Sequence, residues 1–190
     1  MSTLNYLTIA TCVLWWGSET AIGIIRHSKP WQLGSDKMSY WAVWLSLLIS
    51  IFAALGLAKV DKLGHLAFFA PFLGYVGCIA IVVGVSIRWV AVATLGRQFT
   101  LQVTIIKDHR IIDRGIYKSI RHPAYLGSLI SLIGLGFALE NWISLLILLI
   151  LPLVAILYRI KVEEKALLQH FGTQYEEYRK RTKKLLPKLY

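Results

Sequence analysis

A polar, basic and aromatic segment between long hydrophobic runs, Gly115–Gly127, carries the residue types best suited to chemistry. In this central polar segment, Arg121 and His122 supply hydrogen-bond donors and Tyr125 supplies a flat amphipathic ring. Pro123 sets the start of the next predicted helix, because proline at the first helical position gives up no N–H that the helix needs. The free N–H groups of that first turn favour an anion. The segment therefore predicts a weakly positive pocket at a membrane surface.

The composition is typical of an integral membrane protein. The chain has 190 residues, enough for one domain, and 56% of them are hydrophobic, which is too many for a soluble globular protein. The formal net charge is +11, but the charged residues sit in short segments between apolar runs. This pattern favours a bilayer with anionic lipid as partner over nucleic acid. Cys12 and Cys78 lie inside apolar runs, so neither a disulfide framework nor a metal site is expected.

Run length and hydropathy predict an all-α, polytopic membrane protein with about five transmembrane helices. The predicted spans are Leu4–Ile25, Tyr40–Ala58, Leu66–Ile87, Tyr125–Leu139 and Trp142–Tyr158. The last two spans are short and only the turn Glu140-Asn141 separates them, which predicts an antiparallel helical hairpin. The loop Arg26–Ser39, with the helix breakers Pro30 and Gly34, joins the first two spans.

Both ends of the chain carry further signals. The first apolar run is expected to be a retained helix rather than a cleaved leader. Glu19 interrupts it near its end, where a carboxylate is either a functional group or a side chain that reaches the interface. From Arg159 onward the charged, helical pattern predicts a C-terminal cytoplasmic helix. An apolar stripe at helical spacing suits a helix that lies along the membrane surface, and it consists of Leu167, Leu168, Phe171, Tyr175 and Tyr178.

The distribution of Lys and Arg predicts the orientation. With five spans, one side of the membrane collects 18 of these residues, in Arg26–Ser39, Gly96–His122 and Arg159–Tyr190, and the other side collects two. The positive-inside rule therefore places the N-terminus outside and the C-terminus, with the central polar segment, in the cytoplasm. The basic stretch Arg179–Lys184 then either contacts anionic headgroups or serves as a solubilising terminus.

The second half of the chain resembles a known family. The residues that carry the resemblance are Leu95-Gly96-Arg97, Gln102, His109 to Ile112, Gly115-Ile116-Tyr117, Arg121 to Tyr125, Gly127, Arg159, Glu163-Glu164, Phe171-Gly172, Tyr175 and Tyr178. With this set the chain resembles the isoprenylcysteine carboxyl methyltransferase family, which is related to the membrane phospholipid methyltransferases. One departure is Ile116, where the family often has proline. The resemblance implies N-terminal transmembrane helices in residues 1–94 and a methyltransferase core in 95–190, integrated into one domain.

The resemblance implies a membrane-embedded methyltransferase that uses S-adenosylmethionine and releases S-adenosylhomocysteine. The family's cofactor contacts correspond to Gln102, His109, Arg110, Ile111, Ile112, Tyr117, His122, Pro123, Ala124, Tyr125 and Glu163. Its substrate-carboxylate arginine corresponds to Arg159. The acceptor is then expected to be a prenylated or lipid-like molecule that enters from the bilayer.

The residue chemistry is consistent with these roles. A carboxylate acceptor is already ionised at neutral pH, so it requires a cation to position it rather than a general base. Arg159 offers a planar fork for this purpose. Glu163 can accept hydrogen bonds from the cofactor's hydroxyl or ammonium groups, and aromatic rings such as Tyr117 can cradle its flat or cationic parts. Arg121 is expected to brace the segment against carboxylates of the tail.

Two other functions stay open at this point. An amine acceptor on a phospholipid headgroup would need to lose a proton, and Glu163 or Glu164 could take it, which gives these residues a catalytic role. A small transporter or non-catalytic scaffold is the alternative from another class. Transporters place ionisable residues at mid-membrane, whereas most of those here cluster near one surface.

Overall fold

The computed structural model describes residues 3–25, 36–60, 64–65, 70–103, 105 and 109–186. These residues contain six α-helices: α1 Thr3–Ile25, α2 Lys37–Val60, α3 Ala70–Leu95, α4 Pro123–Ala138, α5 Trp142–Phe171 and α6 Thr173–Arg181. The described residues form only isolated β-bridges besides these helices and short 3-10 turns. The all-α prediction is confirmed. The predicted breakers Pro30 and Gly34 and the start of the third span at Leu66 lie outside the described residues.

Within the part of the chain that the structure describes, four helices are long and apolar enough to cross a membrane, and α4 is a shorter apolar helix. Large apolar side chains such as Ile49, Phe52, Phe72 and Val154 are exposed on their outer surfaces, as expected for groups that face lipid. The chain is therefore a multi-pass membrane protein. The third helix extends beyond its predicted end at Ile87 to Leu95, so Arg88 and Trp89 are also helical.

The predicted helical hairpin is formed by α4 and α5. Pro123 occupies the first turn of α4, and at the far end the Asn141 side chain caps α5 by accepting a hydrogen bond from Ser144 N–H at 2.9 Å. The predicted last span and the predicted helical pattern from Arg159 onward form one continuous helix, because α5 ends only at Phe171, where Gly172 with φ of 53° follows. At 1.5 Å per residue α5 is about 45 Å long, so it exceeds a hydrocarbon core of about 30 Å. Its last turns therefore carry the polar site residues out of the apolar layer.

Close packing between α3 and α4 depends on two glycine pairs. A Cβ at Gly84 would lie 2.5 Å from the Gly127 carbonyl oxygen, and one at Gly77 would lie 2.5 Å from that of Gly134. Small residues at these four positions let the two backbones approach, as in other membrane helix pairs. This contact fixes the start of α4 against the N-terminal helices.

A C-terminal strap, Thr182–Leu185, follows α6 and lies against the central polar segment. Arg121 N–H donates to the Lys183 carbonyl at 2.8 Å, and His122 N–H donates to the Lys184 carbonyl at 3.0 Å. The last strap residue is buried against apolar side chains of α4 and α5, namely Leu129, Ile156 and Ile160. The strap thus connects the end of α6 to the central polar segment.

Candidate active site

A cavity of about 710 Å³ lies between the central polar segment and helices α1, α2, α4 and α5. Eleven of the predicted site residues line this active-site cavity: Gln102, His109, Arg110, Ile111, Ile112, Tyr117, His122, Ala124, Tyr125, Arg159 and Glu163. Pro123 is the exception, because it is fully buried where α4 begins and acts on the backbone instead. Residues that are up to 61 positions apart in the sequence are therefore brought to one site.

Arg159 and Glu163 are joined through the hydroxyl of Tyr125. Arg159 Nε donates to Tyr125 Oη at 2.6 Å, and Tyr125 Oη donates to Glu163 Oε2 at 2.9 Å. The two charged residues are four positions apart on α5, a spacing typical of a surface ion pair. Here Arg159 is buried at 5% exposure and the phenol lies between the charges. The arrangement connects the first turn of α4 to both charged groups.

The rest of the Arg159 guanidinium is held by the start of α2 and by the loop after α3. Nη1 donates to Ser39 Oγ at 3.4 Å and Nη2 donates to the Leu101 carbonyl. Asp36 caps α2 by accepting from Met38 N–H at 2.9 Å. Although desolvation opposes the shift, hydrogen bonds from Ser39 and Met38 hold the pKa of Asp36 below its ordinary value, and the nearby Arg159 charge adds to the effect. Three separate segments therefore fix the direction of the arginine fork.

His122 lies between two carboxylates. Its Nε2 is 3.4 Å from Glu164 Oε1 and its Nδ1 is 3.9 Å from Glu163 Oε2. Arg121 Nε donates to the same Glu164 oxygen at 2.8 Å, and the His122 ring stacks on Tyr125 with centroids 5.8 Å apart. Arg121 thus has the expected bracing position. Of the two carboxylates beside His122, Glu164 is paired with Arg121 and Glu163 lines the cavity.

His109 forms the wall of the cavity near the C-terminal end of α5. Its ring meets Phe171 edge to face with centroids 5.5 Å apart, and the His170 ring is 6.4 Å away. Burial, and then the neighbouring His170, lower the pKa of His109, so its ring is neutral at pH 7. Its Nδ1 is buried and has no hydrogen-bond partner within the described ranges. Such an orphaned nitrogen is suited to a polar ligand in the cavity.

Four of the five residues of the predicted surface stripe line the active-site cavity, and Leu168 does not. Tyr175 and Tyr178 are buried and both line the cavity, as do Leu167 and Phe171. Tyr178 Oη donates to the Tyr117 carbonyl at 2.8 Å, and burial raises the pKa of Tyr178 to about 12. Gly172, with its positive φ, separates α5 from α6, and α6 then places Tyr178 against the central polar segment.

Comparison with known proteins decides the family. The sequence model of the isoprenylcysteine carboxyl methyltransferase family matches residues 75–169. The probable protein-S-isoprenylcysteine O-methyltransferase of Oryza sativa subsp. indica is 31% identical over 191 residues, which cover 96% of this chain and 95% of the rice protein. The chain belongs to the isoprenylcysteine carboxyl methyltransferase family.

Other similarities extend over most of the chain. Protein-S-isoprenylcysteine O-methyltransferase B of Arabidopsis thaliana is 32% identical over 75% of this chain and 77% of its own length. The solved structure of the eukaryotic intramembrane Ras methyltransferase ICMT superposes with a TM-score of 0.64 at 23% identity, which shows a shared fold. The match covers 96% of this chain but only 65% of that one. As a methyltransferase family member, the chain requires a methyl donor.

Sequence reasoning missed an ion pair that this family member builds between α1 and α3. Arg88 Nε lies 2.5 Å from Glu19 Oε1, and Arg88 Nη2 donates to Glu19 Oε2 at 2.7 Å. Arg88 Nη1 also donates to the Ala124 carbonyl at 3.2 Å. The sequence does contain a signal for this pair: Glu19 and Arg88 are opposite charges in otherwise apolar spans, and such charges pair with one another. The pair lines the active-site cavity and ties α1 to the start of α4.

The first two helices also shape the site. Most of the residues that they contribute to the cavity wall are apolar, and the aromatic part of this wall consists of Trp15, Trp16, Tyr40 and Trp44. The family signature gave no indication of this wall, because the motif residues all follow Leu95. The cavity is consequently polar around Arg159 and, apart from the Glu19–Arg88 pair, mostly apolar toward α1 and α2.

Proposed function

We propose that the chain transfers a methyl group from S-adenosylmethionine to the carboxylate of an isoprenylcysteine or a similar lipophilic acceptor. The observation that carries this proposal is the buried Arg159 fork at the junction of a polar pocket and an aromatic wall. A molecule with a carboxylate at one end and a prenyl chain at the other matches both parts of the cavity. Arginine suits the carboxylate because its planar fork can form two parallel hydrogen bonds.

The residues around the cavity fit S-adenosylmethionine. When bound, the cofactor supplies a methyl group on a cationic sulfonium. The residues proposed to hold it are Gln102, His109, Arg110, Ile111, Ile112, Tyr117, His122, Ala124, Tyr125 and Glu163, with Pro123 setting the backbone of the α4 start. Glu163 suits the ammonium or hydroxyl groups, and His109 offers an unpaired buried nitrogen for a polar group of the nucleoside. Neutral tyrosines supply flat surfaces for the remaining parts.

The protein's part in the reaction is positioning. Methyl transfer needs the acceptor oxygen in line behind the methyl group at about 3 Å in a site without water. Arg159 fixes the acceptor carboxylate, and its bonds to Tyr125, Ser39 and Leu101 limit its own movement. Transfer turns the carboxylate into a methyl ester, with S-adenosylhomocysteine as the second product. No proton moves, so no side chain has to act as a base.

The orientation and organisation belong to the same proposal. The N-terminus lies outside and the polar end of the hairpin lies in the cytoplasm, which the charge difference between the two sides supports. The acceptor enters sideways from the bilayer and the cofactor enters from the cytoplasm. Residues 1–94 and 95–190 act as one integrated domain, because α1 and α2 line the cavity and α3 packs closely on α4.

Methyl transfer to a panel of acceptors tests the proposal. The full chain in lipid nanodiscs is given methyl-labelled S-adenosylmethionine with S-farnesylcysteine, its methyl ester, phosphatidylethanolamine or a long-chain fatty acid. We expect label only on the free carboxylate of farnesylcysteine, in a form that alkali releases as methanol. Alkali-stable label on phosphatidylethanolamine would show amine methylation instead. Cofactor binding without transfer to any acceptor would favour a non-catalytic membrane protein.

A further inference from the structure

A second cavity, of about 600 Å³, lies between α6 and the C-terminal strap, on the opposite side of Arg121 from the active-site cavity. The residues that line this basic cleft are Arg121, Glu176, Arg179, Lys180, Thr182, Lys183 and Lys184. Five of the seven are basic and one is acidic. Arg121 is neutralised by Glu164 inside the protein, whereas Arg179, Lys180 and Lys183 are exposed. The cleft therefore concentrates positive charge in a concave surface that suits a phosphate-bearing ligand.

The course of the strap places this cleft at headgroup depth. Lys184 accepts a backbone hydrogen bond at the start of α4, while the next residue, Leu185, is buried among apolar side chains further along α4 and α5. Leu186 follows directly and is 46% exposed. A chain that passes in three residues from lysine to exposed leucine crosses from the polar to the apolar layer of a bilayer. This depth favours a lipid, and not a protein or a nucleic acid, as the ligand of the basic cleft.

We propose that the basic cleft binds the phosphate of an anionic phospholipid headgroup and that the bound lipid holds the C-terminal strap against the active site. The strap carbonyls accept from the backbone N–H groups of Arg121 and His122. Arg121 Nη1 also donates to the carbonyls of Arg179 and Thr182. A ligand that immobilises the residues lining the cleft therefore also stabilises the segment that orients His122.

Lipid binding is tested with a fluorescent short-chain phosphatidylglycerol added to the detergent-solubilised full chain. The variant is Lys180→Gln/Lys183→Gln, which keeps the backbone bonds of the strap. The control is Lys161→Gln/Lys165→Gln, which removes the same charge from exposed positions on α5. At about 1 kcal/mol per basic residue near a phosphate-bearing surface, the cleft variant should bind at least about tenfold more weakly than wild type and the control. Equal losses in both variants would overturn the site.

Competition identifies the ligand class. Inorganic phosphate at millimolar concentration should not displace the probe, because it lacks the acyl chains that reach the apolar layer. Displacement at that concentration would assign the cleft to a free anion and overturn the lipid proposal. Stronger displacement by an acidic peptide such as polyglutamate would assign it to a protein partner.

Hydrogen exchange tests the connection to the active site. In nanodiscs that contain about one third phosphatidylglycerol, amides of residues 119–122 and 182–185 should exchange more slowly than in pure phosphatidylcholine. Wild type and the control should show this protection and the cleft variant should not. Lipid binding without protection would overturn the coupling. Neither measurement uses methyl transfer, so failure of the enzymatic proposal would leave this result intact.

Discussion

Tyr125 Oη accepts a hydrogen bond from Arg159 Nε at 2.6 Å and donates one to Glu163 Oε2 at 2.9 Å. One phenol thus contacts both the proposed acceptor-binding residue and the proposed cofactor-binding residue. The Tyr125 ring is held independently by its stack on His122. The hydroxyl and the ring can therefore be tested separately.

We predict that Tyr125→Phe, which keeps the ring, will lower kcat/KM for the acceptor by about tenfold or more. The reason is that a hydrogen bond between a buried hydroxyl and a charged group contributes about 1.5–3 kcal/mol. The variant should also remove any increase of cofactor affinity by bound acceptor. Cofactor titration with and without an unreactive acceptor measures this coupling. Unchanged kinetics and coupling in the folded variant would show that the hydroxyl only packs.

Replacing Arg159 by lysine separates charge from geometry. Arg159→Lys keeps the positive charge but loses the fork and its contacts with Ser39 and Leu101. We expect kcat/KM for the acceptor to fall by about 100-fold, which corresponds to about 2.7 kcal/mol, while the cofactor dissociation constant changes little. Conversely, Glu163→Gln should weaken the binding of the cofactor. Isothermal titration measures cofactor binding, and initial rates measure kcat/KM for the acceptor. Weaker cofactor binding in Arg159→Lys together with a lower kcat/KM for the acceptor in Glu163→Gln would reverse our assignment of the two residues.

The lowered pKa of His109 predicts a pH dependence of stability. In the unfolded chain, His109 takes up a proton near the ordinary histidine pKa of 6.5. In the folded protein it takes up the proton only at lower pH, because the ring is buried beside His170. Stability from this group is therefore complete above that value and is lost as the pH falls from 6.5 through the folded pKa. Thermal unfolding in detergent between pH 7.5 and 5 measures the loss. His109→Asn should lose less stability over this interval than wild type, and an equal loss would assign the effect to other groups.

Local signals allowed the hairpin to be predicted, since Pro123 at a helix start and the Glu140-Asn141 turn each act within a few residues. The family motif spans a longer stretch, and most of the site residues that it implies line one cavity. The change from apolar to charged residues at Arg159 marks a change of solvent and not a helix end, so the span and the following helical pattern share one helix. The signal that ends α5 is Gly172, whose positive φ other residues rarely adopt.

Long-range contacts could not be predicted in the same way. The strap pairs with the central polar segment through backbone groups, which leave no pattern in the side chains. The aromatic wall from α1 and α2 has the same composition as lipid-facing surface, so hydropathy does not separate the two. Only packing distinguishes a tryptophan in the cavity wall from one at the membrane interface.

The ion pair of Glu19 with Arg88 gives a final prediction. The two side chains are only 18% and 12% exposed, so removing one partner leaves the other charge poorly solvated. We expect Glu19→Leu to destabilise the protein by about 3 kcal/mol, seen as a lower midpoint of thermal unfolding in detergent. Glu19→Leu/Arg88→Leu should be less destabilised than the single variant, because no charge then stays buried, although the Ala124 carbonyl loses its donor. A double variant as unstable as the sum of both single variants would mean that the two charges are solvated independently.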